Sequence, residues 1–409
     1  MIALLKLTVV FAGIVLLLSR KWNLGLVLLL ASVAVGLLFA HPLPDIGRDV
    51  FLAAVDPLTL GLALAVVLIM TLGELLRQGA GLERMVEALQ SLISSGRVVM
   101  AALPALIGFL PMIGGAMFSA PMVDEVGKRL GVDQEHKTFV NYWFRHIWEY
   151  VFPLYPSVIL AAVLLGMTTP QLMRATWPLT VAALVGGSLF GLLSLPRHGA
   201  APPRSASRAQ NLRALAETVW PIVLVIALSL TFPVDERLAL ILSLLATITV
   251  LMLVKRIPPR VLMTILRERI PWKTVVVVFG ALIFRRVLDN SGAIGATLET
   301  LTDMHIPLVA ITFIVPFVAG LLTGWATAAV SIGFPVVVPL VAADGGAVAP
   351  EWAAWLMAAS FLGVLLSPVH LCLALTRVYF QARWGPLYRL IAPSTLVVAA
   401  TAAVMLWLA

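Results

Sequence analysis

From Ile107 to Glu125 the chain reads IGFLPMIGGAMFSAPMVDE, an apolar run interrupted by Pro111, Gly114, Gly115 and Pro121. A second interrupted run, GLLTGWATAAVSIGFPVVVP, extends from Gly320 to Pro339. In a lipid bilayer every backbone N–H and C=O needs an internal partner, so helix-breaking residues at membrane depth persist only where protein or a watery cavity covers them. Two such breaks, one in each half of the chain, are the pattern of a solute site built from discontinuous helices.

Hydrophobic residues make up 61% of the chain and charged residues 12%, too little polar surface to cover a soluble domain. The formal charge of +8 sits on Lys and Arg gathered in short loops between apolar runs. That distribution sets topology and excludes a nucleic-acid footprint. A single cysteine, Cys372, excludes an intrachain disulfide, and no Cys/His spacing resembles a zinc site. Residues 1–18 have Lys6 as their one charge and no small-x-small cleavage site, which reads as a retained first span.

Spans of about 17 to 25 apolar residues are expected near residues 2–18, 24–40 and 56–76. Gly81 to Ser94 follows as an amphipathic arm, with Leu82, Met85, Val86, Leu89 and Leu92 on one face. The first broken segment covers about 98–130, and spans follow near 139–166 and 176–195. Arg197 to Arg213 is polar and rich in Arg, Ser, Ala and Pro, a linker near the middle of the chain. Beyond it the order recurs: spans near 217–232, 237–254 and from 274, an arm DNSGAIGATLETLTDM, the second broken segment, and spans near 351–374 and 391–408.

The expected architecture is therefore all-α and polytopic, with two repeats of five transmembrane helices and one re-entrant hairpin each. Residues 1–196 form the first repeat (hairpin about 98–130), 197–215 a cytoplasmic linker, and 216–409 the second repeat (hairpin about 306–343). An odd number of spans per half inverts the second repeat relative to the first. Charge tests the inversion independently. With Arg20 and Lys21 in the cytoplasm, Arg77, Arg84, Arg97, Lys128, Arg129, Lys137, the linker and the Lys255 to Lys273 cluster fall there too. The second arm and hairpin carry acids instead, Asp289, Glu299, Asp303, Asp344 and Glu351, and fall outside; Arg174 is the exception among the loops. Neither turn, PMIGGAM or LTGWATAAVS, carries a charge, which favours hairpins over paired full spans, although Trp325 at the second tip suits an interface better.

The candidate solute-binding residues lie at the two tips: Gly114, Gly115, Ala116, Met117 and Ser119 at the first, Thr323, Gly324, Thr327 and Ser331 at the second. Glycines there admit close backbone approach, and a hairpin tip aims helix ends and unpaired amides at an anion; close helix packing by small residues is the plainer alternative. The candidate coupling residues are Glu149, His146, Arg145, Asp124 and His370. Glu149, about ten residues of 1.5 Å rise beyond Phe139, is expected roughly 15 Å deep on a helix that Phe152-Pro153-Leu154-Tyr155-Pro156 breaks later. Arg145 one turn earlier makes either a structural pair or a tuned carboxyl, with His146 as a titratable neighbour. Asp124 and Glu125 each precede a base by four residues, the spacing of ordinary helix pairs with Lys128 and Arg129. Arg285 and Arg286 read either as anion ligands or, for Arg285, as a partner of Asp289. His370 follows Ser367-Pro368, inside a second proline-broken span.

GAMFSAPMVDEVGKRLG followed by FVNYWFRHIWEYVFPLYP, with the Ala80-Gly81 and Ser291-Gly292 arms and a proline-broken span after each hairpin, resembles the ion transporter superfamily of secondary carriers, in its domain-of-unknown-function family 401 branch. The resemblance covers nearly the whole chain and implies a homodimer whose transport domain moves like an elevator against a scaffold. Members that bind carboxylate with sodium often carry Ser-Asn-Thr at each tip. Here the tips read Ile113-Gly114-Gly115-Ala116-Met117 and Thr323-Gly324-Trp325-Ala326-Thr327.

The function expected from these features is secondary active transport of a small, anionic solute across the cell inner membrane, with Na+ or H+ as coupling ion and no other cofactor. A channel or lipid transporter on the same scaffold is the alternative. No Gly-x-Ser-Gly motif, paired protease aspartates or Walker A motif points to an enzyme or a nucleotide-driven pump.

Overall fold

The computed structural model describes residues 2–78, 87–89, 91–93, 95–109, 115–196, 207–232, 234–342 and 346–409. Among these the chain is helical throughout, without a strand. In the first half run α1 (Ile2–Ser19), α2 (Leu24–Leu38), α3 (Leu43–Val55), α4 (Pro57–Gln78), α5 (Gly96–Gly108), α6 (Gly115–Arg129), α7 (Gln134–His146), α8 (Pro156–Leu164) and α9 (Thr169–Gly187). The second half holds α10 (Arg208–Thr231), α11 (Glu236–Val254), α12 (Pro259–Thr264), α13 (Trp272–Asn290), α14 (Ala293–Asp303), α15 (Leu308–Thr323), α16 (Ala326–Val341), α17 (Pro350–Leu366), α18 (Leu371–Phe380) and α19 (Trp384–Trp407).

Local chemistry sets the ends. Asn23 and Asp133 cap α2 and α7 through their side-chain oxygens, and Thr168 and Ser207 open α9 and α10 with reciprocal boxes to Gln171 and Gln210. Gly324, at φ +60, ends α15 in the left-handed region.

Seven of the described helices are long and apolar enough to cross a membrane. Large apolar side chains such as Val9, Leu16, Val223, Leu253, Leu396 and Val404 face outward, as lipid-facing surfaces require. The four limbs of the broken segments are shorter, 13, 15, 16 and 16 residues.

Two short elements were not expected. Both α3 and α12 lie between the second and third spans of their halves. Both carry proline in the first turn, Pro44 and Pro259, where it fits a helix rather than stopping one. A larger difference concerns the span after the first hairpin. It starts earlier, at Gln134, unwinds after His146 and resumes only at Pro156, so Glu149 lies inside the break and not on a helix ahead of it. Gly114, residues 79–86 of the first arm and residues 197–206 of the linker lie outside the described residues.

The packing alternates between halves. α2 lies against α13, α4 against α11, and α9 against α19; α16 of the second half packs on α8 of the first, while α6 of the first packs on α18 of the second. The second limb of each broken segment, α6 or α16, thus rests on the other half's broken span.

Candidate functional site

Two unwound segments, Ile147–Tyr155 and Ser367–His370, break the spans, and the end of α7 that leads into the first meets the second. The Tyr142 hydroxyl donates to the Leu365 carbonyl (3.0 Å) and lies 3.3 Å from His370 Nδ1. The His146 and His370 rings meet edge to face, their centroids 4.8 Å apart. Asn141 spans the same junction, donating through Nδ2 to the Ala116 carbonyl (2.9 Å) and to Thr376 Oγ1 (3.3 Å).

Each hairpin end abuts the break of its own half. A Cβ at Gly115 would sit 2.7 Å from Arg145 Nη2, so only glycine lets the guanidinium lie against the start of α6. The end of α5 is pinned by Trp148 Nε1 donating to the Ala105 carbonyl (2.8 Å) and by the Tyr155 hydroxyl donating to the Gly108 carbonyl. In the second half a Cβ at Gly324 would lie 2.6 Å from the His370 backbone nitrogen. Ser367 Oγ donates to the Leu321 carbonyl (2.6 Å) and completes the contact.

Ionisable groups gather inside this junction. Arg145, His146, Glu149 and His370 are all buried. Glu149 Oε1 stands 3.7 Å from both Arg145 Nη1 and His146 Nε2, too long for a direct hydrogen bond, so Arg145 attracts the carboxyl group without clamping it. Arg145 also has the Tyr155 hydroxyl as a hydrogen-bond partner. A buried ionisable group at membrane depth that is only loosely held suits binding or coupling better than bracing.

Of the residues the sequence singled out, Gly115, Ala116, Arg145, His146, Glu149, Gly324 and His370 come together here. Ser119 and Ser331 are buried on the return limbs and donate to their own helices at the Ala116 and Thr327 carbonyls. Thr323 donates to the Ala319 carbonyl (2.7 Å), Thr327 is buried in the first turn of α16, and Met117 is half-buried. Asp124 stands apart, paired with Lys128 (2.7 Å) and Lys137 (3.0 Å). Arg285 lies 3.7 Å from Asp289 and donates to the Val163 carbonyl (3.1 Å), whereas Arg286 reaches Asp49 at 3.3 Å.

Sequence reasoning missed Asn141, Tyr142, Tyr155, Cys372 and Thr376. The one signal available was their polarity within apolar spans that also break, since a buried polar side chain needs a partner from elsewhere.

No curated protein matches the chain. The signature of the family described as protein of unknown function (DUF401) matches residues 2–409. With the match running over essentially its whole length, the chain belongs to the DUF401 family.

Proposed function

We propose that this membrane protein is a secondary active transporter of a small, anionic solute. In this reading residues 1–196 and 216–409 are inverted repeats joined by a cytoplasmic linker, and the broken segments are re-entrant hairpins. The solute sits where tips and breaks meet, with Arg145 and the start of α6 supplying positive potential and Glu149 carrying the coupling proton. The superfamily resemblance adds the elevator movement, the homodimer and the inner-membrane location; no enzymatic step is involved.

The observation that carries the reading is the convergence of two unwound segments and two hairpin ends, drawn from both halves, on one buried cluster of charged groups. Bilayer-embedded backbone without helical pairing is sustained where it lines a site. The limbs support the hairpins: 16 residues span about 24 Å, short of the ~30 Å hydrocarbon core.

The test is uptake of a panel of small carboxylates and oxyanions into proteoliposomes under imposed pH or sodium gradients. We expect saturable accumulation driven by the pH gradient, and a Glu149→Gln variant that exchanges solute but no longer accumulates it. Flux that never saturates and ignores both gradients contradicts a carrier and favours a channel. Sodium-driven accumulation that survives in Glu149→Gln moves coupling to the carbonyls freed near Pro153 and Pro368.

A further inference from the structure

The junction also brings together a set of metal-ligating side chains. His146, His370 and Cys372 are buried, and their ligand atoms all lie within 4.8 Å of one another. His146 and Cys372 come from opposite halves of the chain. The set is therefore invisible to any search for local Cys/His spacing.

The rings are already prepared as ligands. His146 Nδ1 lies 2.6 Å from the Tyr142 carbonyl, and His370 Nδ1 lies 3.2 Å from the Val364 carbonyl. A carbonyl only accepts, so each Nδ1 carries the proton and each Nε2 keeps its lone pair. Metal-bound histidines characteristically donate their other ring N–H in this way. Glu149 Oε1 lies 3.7 Å from His146 Nε2 and offers a fourth donor on that side of the set.

We propose that His146, His370 and Cys372, with Glu149 closing the fourth position, bind a divalent transition-metal ion of the zinc and cobalt class between the two broken spans. Two imidazole nitrogens, a sulfur and a carboxylate oxygen form a tetrahedral set of borderline softness, unlike the all-oxygen cages of magnesium or calcium. Bonds of about 2.0 to 2.3 Å place tetrahedral ligand atoms roughly 3.3 to 3.6 Å apart, so the donors draw in by about 1 Å on the ion. On coordination the Cys372 thiol releases its proton to the medium and sulfur forms the metal bond. The bound ion ties the break at Ile147–Tyr155 to the one at Ser367–His370. Metal binding here does not depend on which solute the protein carries, and Glu149 bound to the ion holds no coupling proton.

The experiment titrates Co2+ into the purified full-length protein, its affinity tag removed and residual metal chelated. One Co2+ per chain is expected, with a sulfur-to-cobalt charge-transfer band in the near ultraviolet that Zn2+ abolishes by displacement. Because the chain has one cysteine, that band in the wild-type protein reports Cys372 without any variant. Cys372→Ser should lose the band, and His370→Gln should weaken Zn2+ binding by about tenfold or more; His305→Gln, on an exposed turn, should bind as wild type. Absence of the band from the wild-type protein, or Zn2+ affinity unchanged in both Cys372→Ser and His370→Gln, overturns the proposal.

Discussion

Gly115 and Gly324 stand at the two hairpin ends and abut different kinds of atom. At Gly115 the obstacle is the far end of the Arg145 side chain, and at Gly324 it is the backbone of His370. A side chain can shift by a few tenths of an ångström, but a packed backbone cannot without moving the break. Gly115→Leu is therefore expected to yield folded protein, by size-exclusion chromatography, that has lost uptake because Arg145 is displaced. Thr327→Val should lose uptake likewise, since it removes a hydroxyl beside the second tip. Wild-type uptake by both variants would move the solute site elsewhere. Gly324→Ala meets the backbone and must also adopt a left-handed φ, which costs roughly 1–2 kcal/mol by itself. It should lower the thermal midpoint in detergent by several degrees, and an unchanged midpoint would contradict this packing. The glycines, Arg145, Glu149 and His370 were legible in the sequence because breakers and charges are conspicuous in apolar runs. Asn141, Tyr142 and Cys372 were not, because their partners Thr376, Leu365 and His146 lie in the opposite half.

Among the elements, α7 carries most of the site and is anchored at Asp133, whose carboxylate accepts from the His136 amide (2.8 Å) and faces the His136 ring (2.7 Å). Asp133→Ala is expected to cost about 1 kcal/mol, read as a lower unfolding midpoint. Partial burial works to raise the Asp133 pKa, but the amide and ring of His136 lower it further, so the net shift is downward. A depressed folded pKa means that this stabilisation is complete above the unfolded carboxylate value near ~3.9 and lost as pH falls through the lower folded value. The midpoint difference between wild type and Asp133→Ala should accordingly shrink on acidification below pH ~4; a constant difference would remove the cap's carboxylate from the account. An all-helical chain with several membrane-length helices, and the fact of each break, were legible in the sequence, since proline and glycine in lipid-facing runs have few other uses. It misjudged where the first break begins. His146 to Val151 holds no proline or glycine, so unwinding there follows from tertiary contacts of Trp148 and Tyr155, which leave no mark on local propensity. The helices α3 and α12 were missed for a related reason: a proline at the start of a short amphipathic helix reads like the proline of a loop.

At the scale of the molecule, contacts between the halves are reciprocal. The loop after the second hairpin meets the end of α8, where the Val348 amide donates to the Leu165 carbonyl (3.0 Å). The helix after the first hairpin meets the end of α18, where Glu135 pairs with Arg383 (3.0 Å). Near the first contact lie Glu236, which accepts from the Thr169 amide, and Arg174 and Arg285; near the second lie Lys128 and Lys137 with their partner Asp124, and in a bilayer the more basic end belongs in the cytoplasm. If the halves are inverted, the bases of the two hairpins must open on opposite sides of the membrane. Single cysteines at Lys128, whose side chain is 71% exposed, and at exposed Gly346, each in a Cys372→Ser background, decide this with a membrane-impermeant maleimide on intact cells. The account predicts labelling at position 346 from outside, and at position 128 only after the membrane is permeabilised. Equal labelling of both from outside would contradict the inverted halves and the transport site built from them.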